Sequence, residues 1–149
     1  MKRILITGAG GSIGRELTLQ LARQSGTVHL ILNDISEINL FEIQQELEAR
    51  KFLTYELLLG DCGDNFILEK IFKSKVDSIF HAAAYKHVGM SQLMPQTYFR
   101  YNLRGFLNIV EFSKQKSSQL ILISSDKAVH PINPMGMSKR LCEFIARLV

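Results

Sequence analysis

The sequence predicts an α/β fold: a doubly wound parallel sheet with helices on both faces, trimmed at one edge. Three observations predict it. Short, nearly continuous runs rich in Ile, Leu and Val alternate with longer amphipathic runs. Continuous apolar runs suit strands buried on both faces of a parallel sheet. A glycine cluster from Gly8 to Gly14 joins the first apolar run to the first amphipathic one. Repeated β-α units then imply right-handed crossovers and a parallel sheet.

The strands are expected at Arg3–Thr7, Val28–Asn33, Leu53–Leu58, Asp77–His81 and Gln119–Ser124. Between them lie the helix patterns. Ile13, Leu17 and Leu21 recur at helical spacing after the glycines. Ile38, Phe41 and Leu47 do so after Ser36, a good N-cap. Asp64 caps a short helix carrying Ile67, Leu68 and Ile71. Thr97–Lys114 reads as one longer helix, and Met137–Val149 as the last, apolar at Leu141, Phe144, Ile145 and Leu148. Five strands with five or six helices make most of a doubly wound sheet. The sequence stops on a helix, where a fold of this kind usually continues with another strand, so either a fragment or a sheet trimmed at that edge is expected.

The 149 residues suffice for one domain with a core, since domains commonly run ~100–150 residues. Hydrophobic content of 46% and charged content of 21% fit a globular protein. No apolar run approaches the ~20 residues of a membrane span. Met1-Lys2-Arg3 leads directly into a strand and lacks the cleavage site of a signal peptide. Cytoplasmic location is the expectation; membrane association supplied by a longer parent protein is the alternative. The net charge of +4 is compatible with an anionic ligand. No basic block interleaved with aromatics points to nucleic acid. Cys62 and Cys142 are far apart and match no metal spacing, so no metal is expected and both thiols read as reduced and structural.

Thr7-Gly8-Ala9-Gly10-Gly11-Ser12-Ile13-Gly14 follows the first strand and opens the first helix. Gly8 allows a tight turn, Gly11 lets the backbone approach a pyrophosphate, and Gly14 lets helix and strand pack closely. The free N–H groups of Ser12 and Ile13 and the positive helix end then face the phosphates. The second strand ends in Asn33-Asp34, twenty residues beyond Gly14, where an acid that binds the adenosine ribose belongs. Together these make residues 1–149 a Rossmann-type NAD(P)-binding domain. Asp34 accepts from ribose hydroxyls and repels a 2′-phosphate, and no Arg or Lys follows it in Ile35-Ser36-Glu37. NAD is favoured, with Arg15 keeping NADP as the alternative. Asp61 and the Cys62 amide are placed to read adenine. Ala82, Ala83 and Ala84, after the fourth strand, let the backbone lie against the cofactor. His81 reads as a packed, hydrogen-bonded residue.

The glycine motif, His81-Ala-Ala-Ala-Tyr-Lys-His87-Val and Ser124-Ser-Asp-Lys-Ala-Val129 together resemble the extended short-chain dehydrogenase/reductases. More narrowly, the chain resembles the CapD-type polysaccharide-biosynthesis proteins, nucleotide-sugar 4,6-dehydratases acting on UDP-N-acetylglucosamine. The likeness runs through Met135-Gly-Met-Ser-Lys139. It implies a UDP-amino-sugar substrate and capsule or O-antigen synthesis. It also implies a sugar-nucleotide domain that follows the cofactor domain and is absent from this chain, and a homodimer through the helices around 97–114 and 137–149. A nucleotide-sugar epimerase or reductase, or a dinucleotide-binding module without turnover, are the rival readings.

A 4,6-dehydratase takes hydride from sugar C4, removes the C5 proton, expels the C6 hydroxyl and returns hydride to C6. By the family's pattern Asp126 protonates the departing hydroxyl and Lys127 removes the C5 proton. A base role requires a neutral amine, which burial or a neighbouring cation favours. Ser125 matches the hydroxyl that bonds the sugar oxygen at C4, with Ser124 beside it. Lys139 matches the lysine that holds the nicotinamide ribose. Asn102 matches a helix-bending asparagine. Tyr85, Lys86 and His87 are placed over nicotinamide and substrate, with Lys86 and His87 as substrate residues. Met135 stands at the usual tyrosine position. It has no proton to exchange, so Lys139, Lys127 or a water must take the C4 hydroxyl proton. The family often follows His-Val with Pro and an acid. Here Gly89-Met90-Ser91-Gln92 follows, in what reads as a substrate-side loop.

Overall fold

The computed structural model describes residues 1–24, 26–73 and 75–148. Five parallel strands form one sheet in the order β3-β2-β1-β4-β5. They are β1 Lys2–Thr7, β2 Val28–Asp34, β3 Tyr55–Leu59, β4 Ser78–His81 and β5 Gln119–Leu122. The chain steps outward from β1 to β3, then returns to lay β4 on the other side of β1. Right-handed crossovers therefore put α1 (Ser12–Ala22) and α2 (Glu37–Ala49) on one face, and α3 (Asn65–Ile71) and the helix between β4 and β5 on the other.

The side chains of β1 divide accordingly. Ile4 and Ile6 join Leu19, Leu30, Ile43 and Leu47 in the core under α1 and α2. Leu5 points the other way, to Ile31, Leu68, Ile71 and Ile79. A strand buried on both faces carries no polar alternation, which is why the sequence reads as a continuous run. β3 is an edge strand and only partly buried. A third small cluster, Phe106, Val110 and Cys142, joins α6 (Gly105–Lys116) to α7 (Pro134–Arg147).

Several expectations are corrected. The helix expected over Thr97–Lys114 is three pieces: α5 (Pro95–Tyr98), a π-helical segment Phe99–Arg104, and α6. The wide turn falls where Asn102 sends its side chain inward, the usual setting of a π-bulge. On α2 the buried stripe is Leu40, Ile43 and Leu47, whereas Ile38 and Phe41 are 69% and 59% exposed. Two interleaved apolar stripes were present, and the sheet selects the one whose Cβ vectors it meets. Residues 88–93 form a short helix, α4 (Val88–Leu93), where a loop is expected. Its single buried residue, Ser91, gives the sequence no apolar periodicity to show. Leu53 is exposed and lies outside β3, while β5 ends at Leu122, before the two serines. The expected end of the last helix, Val149, lies outside the described residues.

Three helix starts are capped by local polar side chains. Ser36 accepts from the Asn39 N–H, Asp64 from Phe66, and Asn133 from Gly136 with Pro134 following. α1 is different: its N-cap is Gly11, with no side-chain cap.

His81, at the end of β4, is buried against the Phe106 ring and hydrogen-bonded to Thr7 Oγ1 at 2.8 Å. The Ala83 N–H donates to the same oxygen at 3.3 Å. Thr7 is thus assigned as donor to Nδ1, leaving the ring proton on Nε2 of a neutral imidazole. Burial, aided by the Lys139 charge, pushes the His81 pKa down to about 3. Its unfolded value is about 6.5. The unfolded chain therefore binds the extra proton first, and stability is lost as pH falls from about 6.5 toward 3. The loss is at most about 1.4 kcal/mol per pH unit. Urea unfolding between pH 6.5 and 5 should show this slope, and His81→Gln should flatten it; an unchanged slope contradicts the buried neutral imidazole.

Candidate functional site: a cleft at the carboxyl ends of the strands

β1 and β4 are neighbours from which the chain departs in opposite directions, and their ends are in register at Thr7 and His81. Ligands of open α/β sheets bind at such a switch point. A cleft of about 560 Å³ lies there.

Its floor is the glycine turn. Gly8 has φ +66°, and a Cβ on it would lie 2.7 Å from the Ala83 nitrogen. A Cβ on Gly14 would collide with the Gly8 carbonyl oxygen, and one on Gly10 with Asn39. The close backbone approaches thus need glycine at all three positions. Gly10 itself packs away from the cleft, against Asn39, while Gly8, Gly11, Ser12, Ile13 and Gly14 line it. The Arg15 N–H makes the first intrahelical bond, to the Gly11 carbonyl at 2.8 Å. The N–H groups before it are the orphan donors of the helix start, and no side chain caps them. This is a fit for a diphosphate.

Asp34 is buried at one end of the cleft. Its Oδ2 accepts from the Gly10 N–H and its Oδ1 from the Ser36 N–H, both at 2.9 Å. A carboxylate has about four acceptor sites, so lone pairs remain for two ligand hydroxyls. Asn33 cross-links the neighbouring strand ends by donating to the Leu58 and Gly60 carbonyls, both at 2.9 Å. Asp61 turns back to accept from the Gly63 N–H at 2.9 Å, and it lines the cleft with Cys62. Burial pushes the Cys62 thiol up to about 12 and the Cys142 thiol up to about 11, so both stay protonated. Arg15 is paired with Glu46 of α2, its Nε donating at 2.7 Å.

The other end of the cleft collects the groups of β5 and α7. Ala82, Ala83, Ala84, Tyr85 and Lys86 form one wall, and Ser124, Ser125 and Lys127 another. Met135 and Lys139, one helical turn apart, are both buried and both line the cleft. Lys139 donates to the Ile123 carbonyl at 2.6 Å, and burial lowers its pKa below the ordinary lysine value. Asn102 is fully engaged: its Oδ1 accepts from the Tyr85 N–H at 2.8 Å, and its Nδ2 donates to the Tyr85 carbonyl and to Ser138 Oγ, both at 3.0 Å. It clamps the loop before α4 onto α7.

Besides Gly10, two predicted site residues stand outside the cleft wall. The Asp126 side chain is 84% exposed and bonds Lys127 Nζ at 3.2 Å. The Lys127 ammonium, followed by the Ser125 hydroxyl, holds Asp126 below the usual carboxylate range. His87 is exposed at the start of α4, and its carbonyl accepts from Tyr98 OH at 2.7 Å and from the Ser91 N–H at 3.1 Å. Sequence reasoning missed Asn33, Asn39, Tyr101 and Ile123 as cleft residues, and Ser138 behind Asn102. Asn39 lies in the first turn of α2, and only its polar character there could have signalled it. Among the described residues no group of three His, Cys, Asp or Glu side chains could hold a metal.

The profile of the polysaccharide biosynthesis protein family matches residues 4–149. The chain belongs to that family. It is 35% identical to the capsular polysaccharide biosynthesis protein CapD of Staphylococcus aureus, over 97% of this chain and 24% of that protein. It is 38% identical to an uncharacterized membrane protein of Methanocaldococcus jannaschii, over 95% of this chain and 41% of that one. Among solved structures, the UDP-glucose 4-epimerase of Bifidobacterium longum in complex with NAD+ and UDP superposes with a TM-score of 0.83 at 25% identity. That match covers 98% of this chain and 48% of the epimerase. The chain therefore spans half or less of the length of these relatives. No helix among the described residues is long and apolar enough to cross a membrane.

Gly14→Ala is expected to lower unfolding stability by about 1–3 kcal/mol, because the added methyl meets backbone that cannot move aside. Gly89, with nothing within 4 Å of its Cβ position, is the control. Equal urea midpoints for the two alanine variants would contradict the close approach.

Proposed function

We propose that this chain is the cofactor-binding part of an NAD-dependent nucleotide-sugar 4,6-dehydratase acting on a UDP-amino sugar in polysaccharide biosynthesis. The observation that carries the reading is the Asp126–Lys127 ion pair next to Ser125, at the mouth of a cleft whose floor suits a dinucleotide. A simple 4-epimerisation requires no acid and base at C5 and C6, so the pair favours elimination over the epimerase chemistry named for the Bifidobacterium relative.

NAD, when bound, supplies the hydride acceptor and returns the hydride within the cycle. Asp34 and the N-terminus of α1 support its adenosine ribose and diphosphate. NAD is favoured over NADP because Asp34 presents negative charge where a 2′-phosphate would lie, and Glu46 occupies Arg15. Ser125 Oγ holds the sugar oxygen at C4. Lys139 takes the C4 hydroxyl proton in place of the missing tyrosine: it lines the cleft beside Met135, and its burial favours the neutral amine. Met135 supplies an apolar wall.

Without substrate, Lys127 holds Asp126 in its ionised form, the opposite of what an acid needs. A sugar that covers the pair removes its water, and desolvation disfavours two charges relative to two neutral groups. Moving one proton from Lys127 Nζ to the Asp126 carboxylate then gives a neutral amine to take the C5 proton and a neutral acid to protonate the C6 hydroxyl. Lys86 and His87 are assigned to the substrate side. The apolar side chains that α6 and α7 leave exposed, Leu107, Met137, Leu141 and Phe144, are assigned to a homodimer.

The test is incubation of the full-length protein with UDP-N-acetylglucosamine, followed by NMR. A 4-keto-6-deoxy sugar is expected, abolished by Lys139→Met. A C4 epimer with an unchanged C6 would refute the dehydratase assignment. Light scattering of the same sample should give twice the monomer mass; a monomer would refute the dimer.

A further inference from the structure

Asn39 belongs to none of the sequence motifs, yet it faces the ribose corner of the cleft. It is the third residue of α2, and its N–H is held by Ser36 Oγ at 3.3 Å. Its Cβ fills the space a Gly10 side chain would need. The same Gly10 donates its N–H to Asp34. Asn39 and Asp34 are thus fixed on either side of one glycine, and both line the cleft. The Asn39 side-chain amide makes no hydrogen bond among the described residues.

We infer that Asn39 is a second ligand of the adenosine-ribose hydroxyls, complementary to Asp34. This rests on the cofactor reading under Proposed function. Asp34 is an acceptor only, and each of its oxygens already takes one backbone N–H. It can accept a hydroxyl proton but can offer nothing to a hydroxyl oxygen. A ribose diol presents both donors and acceptors. The Asn39 amide carries two donors and an acceptor, so the pair matches a diol on both counts. Position 39 is held rigidly, because Asp34 binds Ser36, Ser36 binds Asn39, and Asn39 packs on Gly10. Little is therefore left to order when the ligand arrives.

Asn39→Ala separates this role from packing, because alanine keeps the Cβ against Gly10 and removes only the amide. Asn39→Leu keeps nearly the whole shape and serves if the alanine variant melts early. Calorimetry on this chain would compare NAD with an NAD analogue lacking both adenosine-ribose hydroxyls. Each variant is expected to bind NAD roughly tenfold more weakly than wild type, the size of one or two neutral hydrogen bonds. Each should bind the dideoxy analogue as tightly as wild type does. An undiminished NAD affinity, or an equal loss for both ligands, would overturn the inference and leave the cofactor reading standing. Failure of wild type to bind NAD at all would overturn both.

Discussion

The arrangement of this protein depends on backbone meeting backbone at the carboxyl ends of β1 and β4. Gly8 touches Ala83, and Gly14 touches the Gly8 carbonyl. A side chain at either glycine would push the helix start away from the sheet. Two polar contacts keep the contact shut: Asp34 to Gly10 on one side, and Thr7 to His81 on the other. The close approach places the uncapped start of α1 at the switch point of the sheet, and so creates a place for a diphosphate before any ligand-specific side chain is considered. Asp34 and His81 are buried polar groups that each find partners within this construction, two backbone N–H groups for Asp34 and the Thr7 hydroxyl for His81 Nδ1, as buried polar groups require.

From that floor the proposed dehydratase would run two chemistries. Ser125 and Lys139 are assigned to hydride transfer at the sugar C4, and Asp126 and Lys127 to elimination across C5 and C6. Met135 removes the usual tyrosine from the first set without opening a hole, because its side chain is buried in the cleft wall. The second set sits at the rim as a solvated ion pair. In the proposed elimination its charges are the reverse of those used, and a sugar covering the pair is what would exchange them.

Much of this was legible in the sequence because it is local. The glycine turn, the acid twenty residues on and the three alanines after β4 each depend on a few neighbouring positions. The parallel sheet showed itself in strands such as Arg3–Thr7 that lack alternation. The remainder depends on tertiary partners. Nothing local to Asn102 says that its amide will clamp the Tyr85 backbone and break the helix expected over Thr97–Lys114. Ile38 and Phe41 make as good a stripe as Leu40 and Ile43 until the sheet chooses between them. The pairing of Arg15 with Glu46, thirty-one residues away, is likewise invisible in the local sequence.

The most direct test of the account is a calorimetric titration of the wild-type chain with NAD and with NADP. The geometry of Asp34, with Arg15 held by Glu46, predicts that NAD binds at least about tenfold more tightly, or about 1.4 kcal/mol. Equal affinity for the two, or tighter binding of NADP, would contradict it.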